Sequence, residues 1–226
     1  MKRSMKEMLI RCAVLLVGLT IAHLGVTLYL LADLGADPFN VLVQGLFRTA
    51  QSVLRGVAIT HGNVHVAVSL LIIAVLLAAG RSYVKIGTLL CMICGGPIID
   101  FFHGMLAPLF DAAHPLWLDY GVEVVACVIL AFGMTIVIKS DAGTGPNDLV
   151  AVVISDKLHR RFSVVRILTD LTFVVIGFLL GGSLGVGTII CAFLVGPVAG
   201  FFLPHSERAI HRIVSGVMND SKEESL

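Results

Sequence analysis

Six apolar runs of bilayer-crossing length dominate the chain, at about 9–32, 63–80, 84–106, 117–139, 163–181 and 185–203. A helix rises about 1.5 Å per residue and the hydrocarbon core is about 30 Å thick, so roughly 17–25 mostly apolar residues make one crossing. Composition agrees: 57% of the 226 residues are hydrophobic and 14% are charged, with a mean hydropathy of +0.97. A soluble domain is about 45–50% apolar and about 25% charged. So much apolar surface needs lipid to face, which excludes a soluble enzyme and a disordered chain. A net charge of +1 gives no basic field for nucleic acid.

Two weaker segments, 38–55 and 146–158, are shorter or more amphipathic, and each follows a Gly-x-x-Pro. They read as short crossings or as half-helices that enter the membrane and stop. The first run follows the basic Met1-Lys-Arg-Ser-Met-Lys-Glu7 and has no small-x-small cleavage site after it, so an uncleaved first helix is expected. Basic residues favour the cytoplasmic side. Eight crossings put Arg81, Lys85 and Lys139 outside; six crossings with two re-entrant half-helices put Arg48 and Arg55 outside. Either arrangement places both termini in the cytoplasm.

The interruptions recur. Gly25, Thr27, Asp33, Gly35 and Pro38 match Gly133, Thr135, Asp141, Gly143 and Pro146 at an offset of 108, with Asn40 opposite Asp148. Gly87-Thr88, Cys91, Gly96-Pro97 and Phe101-Phe102 match Gly187-Thr188, Cys191, Gly196-Pro197 and Phe201-Phe202 at an offset of 100. Matches at Gly, Pro, Asp and Thr in one order mark a duplication, with about eight extra residues near 47–62 of the first half. The expected fold is an all-α polytopic transmembrane bundle of two homologous repeats, six long helices plus two short or half-spanning ones. Its parts are an N-terminus (1–8), a first repeat (9–106), a connection (107–116), a second repeat (117–203) and a tail (204–226) that reads as solvated. An odd number of crossings per half gives inverted repeats, an even number parallel ones.

Paired, interrupted hydrophobic segments point to a transporter site. The candidates for substrate or ion binding are Asp33, Gly35, Pro38 and Asn40 in one break and Asp141, Gly143, Pro146, Asn147 and Asp148 in the other. Proline fits a first helical turn, and the N–H groups that follow carry partial positive charge that can hold an anionic group. The same residues also serve as plain helix caps. Gly96-Pro97 and Gly196-Pro197 are candidate cavity-lining kinks, or packing kinks. Asp170 lies within an apolar run with Arg166 four positions earlier, on one helix face, so it is either a structural pair or a coupling site. Glu123 and Arg166 are expected near the interface, where they can snorkel. His23 is expected in an interhelical hydrogen bond.

Cys91-x-x-Cys94 sits among apolar neighbours and reads as packing rather than thiol chemistry. His61 and His65 lack a third ligand nearby, so no metal is expected. Gly181 to Gly187 lacks the Lys-Ser/Thr ending of a P-loop, and Ser183 has no activating partner in sequence. No catalytic residue and no cofactor are therefore expected.

The motifs Leu34-Gly-Ala-Asp-Pro-Phe-Asn-Val41, Ala142-Gly-Thr-Gly-Pro-Asn-Asp148, Gly181-Gly to Gly187-Thr188 and Gly196-Pro197 resemble those of the bacterial YczE/YyaS/YitT-type integral membrane proteins, in their YczE-like branch. The resemblance implies a multi-pass protein of the bacterial cytoplasmic (inner) membrane and transfers no functional residue. From the residues, a transporter or permease for a small molecule or ion is expected, embedded in the lipid bilayer, with its site between the repeats. The alternative is an accessory or regulatory protein that acts through helix contacts with a partner.

Overall fold

The computed structural model describes residues 4–32, 34–35, 37–53, 61–79, 83–110 and 115–223. Asp33 and Arg55 lie outside the described residues. The described residues form eight helices and no strand: α1 (Met5–Ala32), α2 (Pro38–Val53), α3 (His61–Ala79), α4 (Ile86–Phe110), α5 (Leu116–Ser140), α6 (Pro146–Leu158), α7 (Phe162–Leu179) and α8 (Val186–Glu223). Among these, Met5–Tyr29, Ile86–Phe110, Leu116–Ser140, Phe162–Leu179 and Val186–Val217 are long and apolar enough to cross a membrane. The apolar part of α3, Val64–Ala78, is shorter.

The central pair is α1 against α5, and two glycines let their backbones touch. A Cβ on Gly25 would lie 2.6 Å from the Leu130 nitrogen, and one on Gly133 would overlap the Ala22 nitrogen. Small residues at such crossings replace the hydrophobic driving force that lipid removes. Gly18 meets Ile136 while Gly25 meets Leu130, so the two helices run antiparallel. Around them, Tyr29, Cys127, Met134, Cys191 and Val195 fill one core, and Leu15, Leu19, Cys91 and Val137 another. The cysteines are free thiols and three of them are buried. Leu70, Leu71, Val75, Ile93, Phe101 and Val125 are exposed on the outside, as a lipid-facing surface requires.

Each break is clamped by the start of a distant helix. The Gly187 nitrogen donates to the Leu34 carbonyl at 3.0 Å, and the Gly87 nitrogen donates to the Ala142 carbonyl at 2.8 Å. Gly35 and Gly143 have φ of 140° and 143°, a region that disfavours side chains. Each also packs on that helix start, Gly35 on Gly185 and Thr188, Gly143 on Gly87 and Thr88. The Tyr29 hydroxyl donates to the Gly187 carbonyl from across the core. Tyr29→Phe is expected to cost about 1 kcal/mol through loss of that bond. A thermal melt in detergent checks this, and an unchanged melting temperature would contradict it.

The tail does not separate at Pro204. Helix α8 continues through Pro197 and Pro204. The reason is packing on α5: the hydroxyls of Ser206 and Thr135 are 2.8 Å apart, Lys139 pairs with Glu207 at 2.7 Å, and Ile210 and Val214 are buried.

Candidate functional site

Both breaks lead into one cavity of about 370 Å³ between the helices. It is lined by Leu19, Ala22, His23 and Val26 of α1, and by Asp37, Phe39 and Asn40 at the start of α2. From the second break come Gly145, Pro146, Asn147 and Asp148 at the start of α6. His65 and Ser69 of α3, Gly96 of α4, Met134 of α5, Arg166 of α7 and Cys191 of α8 complete the polar and apolar walls. A cavity of this size, mostly apolar with a few convergent polar groups, is the usual form of a small-molecule site.

The α2 start is capped from within. One Asp37 carboxylate oxygen accepts the Phe39 and Asn40 backbone N–H groups at 3.1 and 3.2 Å, and the other accepts the Asn40 side-chain amide at 2.6 Å. This satisfies donors that a helix start leaves free. At the matching position α6 has Gly145, which offers no side-chain cap, followed by Pro146 in the first turn. The first turn of α6 instead carries Asp148, whose Oδ1 accepts from the Asn147 amide at 3.1 Å and from Arg166 Nη1 at 2.5 Å.

Arg166 joins two carboxylates. Its Nε donates to Asp170 Oδ2 at 2.7 Å along α7, and its Nη1 reaches Asp148 on α6. Asp170 is 1% exposed and Arg166 is 6% exposed. Arg166 therefore does not snorkel to an interface: its charge is matched inside the bundle, which burial of a guanidinium demands. Glu123 is also fully buried and packed against Gly187, and among the described residues no hydrogen bond to its carboxyl oxygens meets the geometric limits. His23 bonds within its own helix, Nδ1 to the Leu19 carbonyl at 2.9 Å, and among the described residues it makes no bond to another helix. Its Nε2 lies over Gly95, where a Cβ would come within 2.8 Å.

The other sequence candidates fall elsewhere. Asp141 ends α5 in a left-handed conformation and bonds Lys85, with Arg11 at 4.0 Å, so it belongs to an ion-pair cluster at one end of the bundle. Gly35 and Gly143 shape the breaks. Pro97 and Pro197 are exposed on the outside, and Gly196 packs against Ser163 and Ile167, whereas Gly96 faces the cavity. Among the described residues no group of three His, Cys, Asp or Glu is placed to hold a metal. Ser69 was missed as a site residue, and His65 was weighed only as a metal ligand. Their signal is faint: a polar pair four apart in an apolar run, at the start of the third helix as Arg166 and Asp170 are at the start of the seventh.

Several apolar helices of spanning length around a polar-lined interior define a polytopic α-helical membrane protein. The chain belongs to the family of unknown function DUF6198, which matches residues 9–204. It is 28% identical over 211 residues to the uncharacterized membrane protein YczE of Bacillus subtilis, covering 93% of each chain. An uncharacterized protein of Haemophilus influenzae is 29% identical over 201 residues, 88% of this chain and 86% of its own. The uncharacterized protein YyaS of Bacillus subtilis is 25% identical over 198 residues, 85% of this chain and 92% of its own. The YczE and YyaS kinship read from the break motifs is thus shown. No solved structure matches the chain.

Proposed function

We propose that the protein is a small-solute transporter of the bacterial inner membrane, not an enzyme, that binds its substrate in the cavity where α2 and α6 begin. The observation that carries this reading is the convergence of both helix starts, Asp37 with Asn40 and Asn147 with Asp148, on one cavity. Two interrupted segments meeting at a shared site is the arrangement around which transporter halves rock.

The halves are inverted copies in this reading. Its support is the antiparallel α1 and α5, the paired clamps at Leu34 and Ala142, and the matched positive φ of Gly35 and Gly143. Six crossings and two re-entrant half-helices follow. Lys85 sits with Asp141 and Arg11, and Tyr83 donates to Asp156, so these groups gather at the end that also holds Glu7, Lys139 and Glu207. In this reading the basic cluster Lys157 to Arg161 shares that end with both terminal helices, which supports a cytoplasmic side there.

The test is a single cysteine at position 147 in a cysteine-free background, reconstituted in liposomes. A water-soluble maleimide is expected to label it, and a solute that the liposomes accumulate is expected to slow labelling. A position that never labels, or labelling that no accumulated solute alters, would count against a transport site there. A stable stoichiometric protein complex in mild detergent, with no solute uptake, would instead favour the accessory-protein reading.

A further inference from the structure

We propose that the cavity selects a small organic cation, an ammonium head with an apolar body, rather than an anion. This rests on the transport reading and names the substrate class of the same site. Free helix starts favour anions, but here each start faces a carboxylate of the chain itself. Asp37 accepts two N–H groups of the first turn of α2, and Asp148 lies in the first turn of α6. Two carboxylates, Asp37 and Asp148, line the cavity, and a third, Asp170, is bonded to the one guanidinium there, that of Arg166. Two of its nitrogens are spent on Asp148 and Asp170. Among the described residues lining the cavity there is no lysine and no second arginine. The excess charge is negative, and at this depth such a charge calls for a partner.

An independent feature points to a ligand. Ser69 is 3% exposed and lines the cavity, yet its hydroxyl makes no hydrogen bond among the described residues. A buried hydroxyl in that state can both accept and donate, and it has room for a ligand's polar group. An ammonium group supplies three donors, enough for Ser69 and the carboxylate oxygens that Arg166 leaves free. The volume and walls decide between a bare ion and an organic one. About 370 Å³ is roughly twelve times the ~30 Å³ share of one water. Leu19, Val26, Phe39, Leu130 and Met134 offer apolar surface that a metal ion cannot use.

The experiment compares three probes of one size on the full-length protein in detergent: n-butylammonium, n-butanol and butyrate. Binding is read by calorimetry and uptake by liposomes. Butylammonium is expected to bind, with no measurable binding of the alcohol or the acid. Asp148→Asn is expected to weaken it about tenfold or more, the loss of one charged hydrogen bond. Ser69→Ala is expected to weaken it several-fold while leaving the melting temperature of the ligand-free protein in place. Preference for butyrate, equal binding of all three, or binding of none overturns the proposal. So does unchanged affinity in both variants. Accumulation of butyrate by the liposomes would sink the cation assignment and leave the transport reading standing. Tight butylammonium binding without uptake would do the reverse.

Discussion

Arg166→Met is expected to collapse the folded protein or lower its stability by about 3–5 kcal/mol, the range for breaking a buried ion pair by removing one partner. The change deletes one positive charge and strands two negative ones. Asp170 is 1% exposed and loses its bond at 2.7 Å, while Asp148 loses the one at 2.5 Å. Neither carboxylate has another cation among the described residues in these bonds. Arg166→Lys keeps the charge but not the fork that reaches two partners, so it should fall between. The triple change Arg166→Met, Asp148→Asn, Asp170→Asn should recover most of the loss, because no unmatched charge remains. Detergent melts of the four proteins check this ordering. An Arg166→Met protein as stable as the parent would show that the network is not what holds α6 to α7.

The second large effect concerns the α1–α5 crossing. Gly133→Val is expected to cost about 3 kcal/mol or more, at the top of the overpacking range. A Cβ there meets the backbone of Ala22 and Gly18, and backbone cannot rotate aside as a side chain can. The helices must separate, which also pulls Tyr29 from Gly187 and opens the core behind it. Gly121→Ala on the same helix is the control, because a Cβ there meets nothing within 4 Å. That substitution should be neutral or slightly stabilising through helix propensity. Loss of the monodisperse peak in size-exclusion chromatography for Gly133→Val alone would fit. Equal behaviour of the two variants would contradict the close crossing.

Much of the helix map is legible in the chain. The segment read as 146–158 is α6, and the run read as 117–139 is α5 within a residue or two. Such limits follow from local causes: proline in a first turn, glycine at a break, and apolar length set by the bilayer. The end of α8 was not legible, because what carries it past Pro204 is contact with Thr135 and Lys139, far away in sequence. The Arg166–Asp170 pair was legible, since four residues of helix set its geometry. The Arg166–Asp148 bond was not, because it joins different helices. The burial of Glu123 was likewise not legible: Leu15, the residue 108 positions earlier, gives no hint of a buried carboxyl.

The sequence by itself determined a membrane bundle, the places where its helices break, and the matched order of those breaks. These depend on hydrophobic length and on backbone restrictions at Gly and Pro, which act within a few residues. Only the tertiary structure decided that α1 and α5 run antiparallel, that both breaks open on one cavity, and that Asp37, Asp148 and Arg166 line it together. Those outcomes depend on which side chains meet across helices, and a pairing over 18 or more positions leaves no periodic trace in the chain.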